Sequence, residues 1–363
     1  MSENRILQKK SLGELFAKLT AAGQRLLAPV KEGELLNFAE VKTPEHVVLD
    51  YIQTRSSAKV AAFPPYEPLL RFAFNGKDVQ QQAAEPDSRP TVLFGVHPCD
   101  AASFATLKAV FTWDSPDEQF ETRLANLTVI GLSCTRADAY CFCTSVGGGP
   151  GETRGSDMLL TPLDAERFLV EVLTPKGEAV VAAAPQLFTP AGDESKDAVL
   201  AKVPPRFSVE KLREKLPAAF DNNAIWVEQS LRCLGCGACA FVCPTCSCFD
   251  IQDERNRNGG VRLRCWDSCG FSLFTLHASG HNPRHVQSER WRQRVMHKFS
   301  YQPERLGVLG CVGCGRCSRT CPVDMNLAEH AQALAELDVK HPAGGDPKPS
   351  GKAQSKSPAE TKK

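Results

Sequence analysis

Two runs of cysteine carry the most evident chemistry in this chain. Cys233, Cys236, Cys239 and Cys243 precede Pro244, and Cys311, Cys314, Cys317 and Cys321 precede Pro322. Both follow the C-x2-C-x2-C-x3-C-P spacing by which bacterial ferredoxins hold [4Fe–4S] clusters. Three thiolates two residues apart on a tight loop grip three irons of one cubane. Small residues between them (Gly235, Gly237, Ala238; Gly313, Gly315) let the backbone wrap the cluster and aim amides at its sulfurs. The fourth cysteine opens the next helix and reaches the other cluster. The expected ligand sets are therefore Cys233, Cys236, Cys239 and Cys321, and Cys311, Cys314, Cys317 and Cys243. Crossed ligation ties the two segments together, so cluster binding is also folding energy. A structural zinc ion usually takes two C-x2–4-C pairs, which this repeated spacing does not supply.

A second set lies far upstream. Cys99, Cys134, Cys141 and Cys143 are the only cysteines before residue 200. Cys99 follows the apolar run Thr91–Val96, and Cys134 follows the apolar run Leu127–Leu132. If those runs are neighbouring parallel strands, both thiols sit at one carboxyl edge, where α/β sheets place ligands. Cys141 and Cys143 on the following loop complete four ligands for a third iron–sulfur site. The plainer alternative is buried or loop thiols, because cysteine packs as a small hydrophobe. His97 and Asp100 flank Cys99 as alternative ligands, although Asp100 also suits the N-cap of a helix over 101–110. Cys246, Cys248, Cys265 and Cys269 match no named motif and read either as a further cluster or as packing thiols.

Other chemistries lack their residues. No G-x-G-x-x-G follows a strand and opens a helix, and Gly147–Gly149 lacks the Lys-Ser/Thr of a P-loop. No nucleophile–base pair stands out. His277, His281 and His285 recur every four residues, but Gly280 and Pro283 interrupt any helix, so they read as surface residues. The basic stretch 290–298 (RWRQRVMHK) reads first as a solvated helix face and second as a dock for an acidic partner.

The elements that must position these groups divide the 363 residues in two. With 43 basic and 42 acidic residues the net charge is +1, which argues against a nucleic-acid footprint. The polar N-terminus, MSENRILQKK, lacks a signal peptide's apolar stretch, and no segment offers the ~20 apolar residues of a membrane span. A cytoplasmic protein keeps thiols reduced, so 16 cysteines point to metal rather than disulfides.

Residues 11–27 read as an amphipathic helix with Leu12, Leu15, Phe16, Leu19 and Leu26 on one face. Residues 34–61 give mixed strand and helix signals. Strand, helix, strand over 91–133 predicts a βαβ unit. Residues 158–163, 167–174 and 178–183, around Pro175–Gly177, read as antiparallel strands. From 223 onward apolar strands vanish, with helices expected at 224–232, 285–299 and 326–338. From Cys243 to Cys311 is 68 positions, more than a compact two-cluster ferredoxin needs. The expected fold is thus α+β: an N-terminal α/β domain (1–222), an α-helical ferredoxin domain with two clusters (223–340), and a disordered tail (341–363).

CLGCGACAFVCPTCSCFDIQDE (233–254), WDSC (266–269), HKFSY (297–301) and CVGCGRCSRTCPV (311–323) together resemble the iron–sulfur subunit of sulfhydrogenases. They are equally similar to the corresponding iron–sulfur subunit of anaerobic sulfite reductase. GVHPCDAASF (95–104) and CFCTSVGGGPGE (141–152) resemble the matching N-terminal segments, so the likeness spans roughly 90–335. It implies a relay subunit between a flavin subunit that binds a nicotinamide nucleotide and a catalytic subunit, a NiFe hydrogenase or a sirohaem sulfite reductase. A catalytic sulfur or disulfide reductase built on the N-terminal site is the alternative. A structural or nucleic-acid module stapled by clusters is a third reading, disfavoured by the near-zero charge.

Overall fold

Short apolar runs bounded by turn residues build the larger sheet of the computed structural model, which describes residues 4–338. The strands are β1 (Arg5–Gln8), β2 (Arg25–Glu32), β3 (Leu35–Val41), β4 (Tyr66–Asn75), β5 (Asp78–Ala83), β6 (Thr91–Val96), β7 (Leu127–Leu132), β8 (Met158–Pro162), β9 (Arg167–Val172), β10 (Phe188–Pro190), β11 (Phe249–Asn256) and β12 (Gly259–Trp266). The helices are α1 (Leu12–Ala21), α2 (Pro98–Phe111), α3 (Glu118–Ala125), α4 (Pro175–Ala183), α5 (Val209–Ala219), α6 (Asn223–Ser230), α7 (Ala238–Phe241), α8 (Gln287–Met296), α9 (Gln302–Leu306), α10 (Arg316–Thr320) and α11 (Leu327–Ala335).

Eight strands lie in the order β10-β1-β9-β8-β7-β6-β2-β3. The centre, β2-β6-β7-β8, is parallel, and the flanking pairs are antiparallel. Every residue of β6 is buried, as expected of a strand covered on both faces. One face packs against α1 and α4 through Phe16, Leu19, Phe94, Val180 and Val181. The other packs against α2, α3 and the turn Ala58–Ala61 through Phe63, Leu93, Phe104 and Phe120. The βαβ expectation therefore holds, and it puts Cys99 and Cys134 at one carboxyl edge. A separate core of Leu212, Trp226, Trp291, Phe299 and Ala331 joins α5, α6, α8 and α11 around the downstream cysteines.

Several local expectations were wrong. The first helix ends at Ala21, so Leu26 belongs to β2. Residues 178–183 are helical: Thr174 caps α4 by accepting from the Gly177 amide, and Pro175 occupies its first position. The N-cap of α2 is His97, and Asp100 lies inside the first turn. The part after residue 223 is not wholly helical, since it holds a polar hairpin. The hairpin β11-β12 joins β4 and β5 in a four-stranded antiparallel sheet, order β11-β12-β4-β5. Its residues are too charged and exposed to announce a strand, since all eight of β11 are exposed. Pairing with β4 and the buried Arg264, which donates to Glu67 at 2.7 Å and pairs with Asp117, holds it in place. The expected tail lies outside the described residues. Among those described, no helix is long and apolar enough to cross a membrane.

Candidate metal centres

The loop before α7 brings Cys233, Cys236 and Cys239 around one concavity. Gly235 and Gly237 turn it with φ of 66° and 73°, a region costly for a residue with a Cβ. Cys321, at the end of α10, lines the same concavity, as does Cys317. The Gln287 amide donates to Cys233 Sγ at 3.1 Å, and Arg294 donates to the Cys239 carbonyl at 3.1 Å. Cys236 is exposed, so this centre lies nearest the surface. Apolar Leu231 and Leu234 stand exposed beside it.

Cys311, Cys314 and Cys317 line a second, deeper space, and Cys243 closes it. Lys298 donates to Cys243 Sγ at 3.4 Å and to the Gly310 carbonyl at 2.7 Å. A hydrogen bond from Cys246, with the Lys298 and Arg294 cations, holds the Cys243 thiol far toward its thiolate. Burial pushes Cys311 up to about 11 and Cys314 higher still. These thiols give up protons on binding metal, which makes loading pH-dependent.

The donor sets fit cubanes. Each space is ringed by four thiols of the expected set, on loops whose glycines leave room for the cluster. Among the described residues no three His, Cys, Asp or Glu side chains converge on one point, as the four donors of a single zinc ion must.

The four N-terminal cysteines are also brought together. Cys99 sits in the first turn of α2, and Cys134 follows β7. Burial, and then Cys143 and Cys141, oppose ionisation of Cys134; burial, then Asp100 and Cys314, and last Cys134 oppose that of Cys99. His97 is committed elsewhere, its ring nitrogens each 3.0 Å from a carbonyl, of Leu132 and Tyr51. Asp100 is taken by Arg316. Neither is therefore free as a ligand.

This upstream set is built onto the second ferredoxin loop. The Phe142 amide donates to the Gly313 carbonyl at 2.9 Å. Gly313 has φ 65°, and a Cβ there would lie 2.5 Å from the Cys143 backbone. Gln53 Nε2 bridges Cys99 Sγ at 3.5 Å and the Cys314 carbonyl at 3.2 Å. The pairs Arg316–Asp100 and Arg319–Asp138 lock the two loops further. A cleft of about 300 Å³ opens beside Cys99, Cys143 and Cys311.

The basic stretch was misread. Arg290, Arg294 and Lys298 are buried, at 9, 6 and 5% exposure, and face the cysteines instead of solvent. Their spacing of four along one helical face was the available signal. Lys59, donating to the Cys246 carbonyl at 2.9 Å, had none. His277, His281 and His285 are exposed, as expected.

Residues 232–325 match the family model of a 4Fe-4S dicluster domain. The chain is 32% identical over 340 residues to sulfhydrogenase 2 subunit beta of Pyrococcus furiosus, covering 91% of this chain and 97% of that one. No solved structure matches it.

Proposed function

This chain belongs to the sulfhydrogenase beta-subunit family, and we propose that it is the electron-relay subunit of a cytoplasmic multi-subunit oxidoreductase. The observation that carries this reading is the continuity of its thiol sets. They run from exposed Cys236, through the shared Cys317 wall, to the second loop and on to Cys99 and Cys143. We assign Cys233, Cys236, Cys239 and Cys321 to one [4Fe–4S] cluster, and Cys311, Cys314, Cys317 and Cys243 to the other. Cys99, Cys134, Cys141 and Cys143 are assigned to a third. A [4Fe–4S] cluster supplies one-electron redox chemistry at a potential set by charge, hydrogen bonding and solvent access. The chain's own residues do the tuning. Lys298 and Arg294 favour added negative charge, Gln287 hydrogen-bonds a ligand sulfur, and Phe299 and Trp291 exclude water.

The partners in this reading are a flavin subunit binding NAD(P)H and a hydrogenase or sulfite/sulfur reductase subunit. Exposed Leu231 and Leu234 beside Cys236 suit one such contact. The division near residue 222, with an α-helical ferredoxin part framed by α6, α8 and α11 and with α5 from before the boundary packed into its core, belongs to the same proposal. The shared sheet of β4, β5, β11 and β12 ties the two parts together.

Anaerobic purification with iron and sulfide analysis, and EPR of the reduced chain, tests the assignment. The two ferredoxin sets account for ~8 irons per chain, and the N-terminal set adds ~4 that Cys99→Ser removes. Zinc in place of iron overturns the reading. The cleft beside Cys99 and Cys143 favours one alternative, a catalytic sulfur or disulfide reductase. Polysulfide reduction by the isolated chain with an artificial donor, abolished by Cys143→Ser, would establish it.

A further inference from the structure

Four cysteines remain outside the relay just described, and the fold brings three of them together. The hairpin closes on the pair Phe249 and Trp266, so the residues just outside its two strands must meet. The Asp267 amide donates to the Cys248 carbonyl at 3.0 Å, and Cys248 and Cys269 line one pocket. Cys246 lines the same pocket, with His297. The His297 ring makes no hydrogen bond to any described residue. Cys265 stands apart, paired across the hairpin with Asp250, and burial and then the Glu254 and Asp250 carboxylates oppose its ionisation.

The surrounding charge is the stronger observation. Lys59, Arg294 and Lys298 are 2, 6 and 5% exposed. Among the described residues none of the three forms an ion pair with a carboxylate; the groups that favour their charged forms are cysteines. Buried charge without a counter-charge is strongly destabilising. Lys298 and Arg294 also serve the ferredoxin sets. Lys59 comes from the turn Ala58–Ala61, sits 3.8 Å from the centre of the Trp266 ring and feels Cys246, Cys243 and Cys248.

We propose that Cys246, Cys248 and Cys269, completed by His297, hold an additional [4Fe–4S] cluster whose negative charge is balanced by Lys59, Arg294 and Lys298. The inference rests on the iron–sulfur reading above, but not on the N-terminal cluster. The donors do not converge on a point, which a single ion would require, and the ferredoxin sets behave alike. A dithiol–disulfide pair would use Cys248 and Cys269 but leave Cys246 and the buried cations unexplained. Arg294, which donates to the Cys239 carbonyl and contacts Cys246 Sγ at 3.8 Å, would set the cluster beside the ferredoxin pair.

The test is iron and sulfide per chain in the anaerobically reconstituted full chain. The informative variant, Cys99→Ser, leaves this pocket untouched. It should retain ~12 irons if the proposal is right, and ~8 irons would overturn it. Wild type separates the two readings: ~16 irons means both extra sites, whereas ~12 irons unchanged by Cys99→Ser means this site without the N-terminal one. In the Cys99→Ser background, adding Cys248→Ser and Cys269→Ser should remove about four irons, and adding Cys265→Ser none. Retention of all the iron by the first combination would also overturn the proposal.

Discussion

Replacing Asp100 with Asn removes the counter-charge of Arg316, whose side chain is 2% exposed against 0% for Asp100. Arg316 Nη1 donates to Asp100 Oδ1 at 2.6 Å, and Nη2 donates to Oδ2. Thr54 accepts from the same guanidinium through its carbonyl at 3.0 Å and its hydroxyl at 2.9 Å. An asparagine keeps one acceptor but turns an NH₂ toward other donors. Removing one partner of a buried pair costs about 3–5 kcal/mol, and Thr54 holds the loss toward the lower end. At ~2–4 °C per kcal/mol for a chain of this order, Tm should fall by roughly 5–15 °C. The assay is a thermal melt of cluster absorbance and circular dichroism on anaerobic protein, with scan rates matched because unfolding that loses iron is irreversible. Asp100→Leu with Arg316→Met should recover much of the loss, since an apolar pair of similar volume carries no stranded charge. A Tm for Asp100→Asn within ~2 °C of wild type would refute the claim that this pair clamps the Cys99 turn to the Cys314 loop.

Crossed ligation predicts that Cys321→Ser abolishes the same EPR signal as Cys236→Ser, and Cys243→Ser the same signal as Cys314→Ser; the opposite grouping means uncrossed sets. Lys298→Met removes a cation 3.4 Å from Cys243 Sγ. A unit charge a few ångströms away at an effective dielectric near 20 is worth ~3 kcal/mol, so one couple should shift negative by on the order of 100 mV in a redox titration. Gly313→Ala combines a positive φ with a Cβ 2.5 Å from the Cys143 backbone. It should cost at least ~1–3 kcal/mol, read as lower Tm and loss of N-terminal iron; wild-type loading would show that the loops are not so tightly apposed. Cys239→Ser should lower electron throughput in the assembled complex while leaving the larger sheet folded by circular dichroism, and normal turnover there would contradict the relay.

Local chemistry was legible in the residues because ligation imposes local spacing. The two cysteine runs could be recognised without any fold, as could the buried strands β6 and β7, whose apolar runs suit nothing but a covered sheet. Local signals also misled where two readings share a pattern. Pro175 and Gly177 suit a turn as well as a helix start, and Thr174 decides the matter only by capping the Gly177 amide. The spacing of Arg290, Arg294 and Lys298 puts them on one face but does not say whether that face is solvated or buried. Only the cysteine loops packed against it make it an interior one, because they replace the water around these cations. The hairpin β11-β12 likewise exists by virtue of β4, far away in the chain. By its closure the hairpin brings Cys248 and Cys269 into one pocket while leaving Cys265 aside. Residue spacing alone thus determined which thiols share a loop. Which loops share a site was decided by tertiary contacts between distant segments, since hydrogen bonds and buried charge pairs across the fold have no period in the sequence.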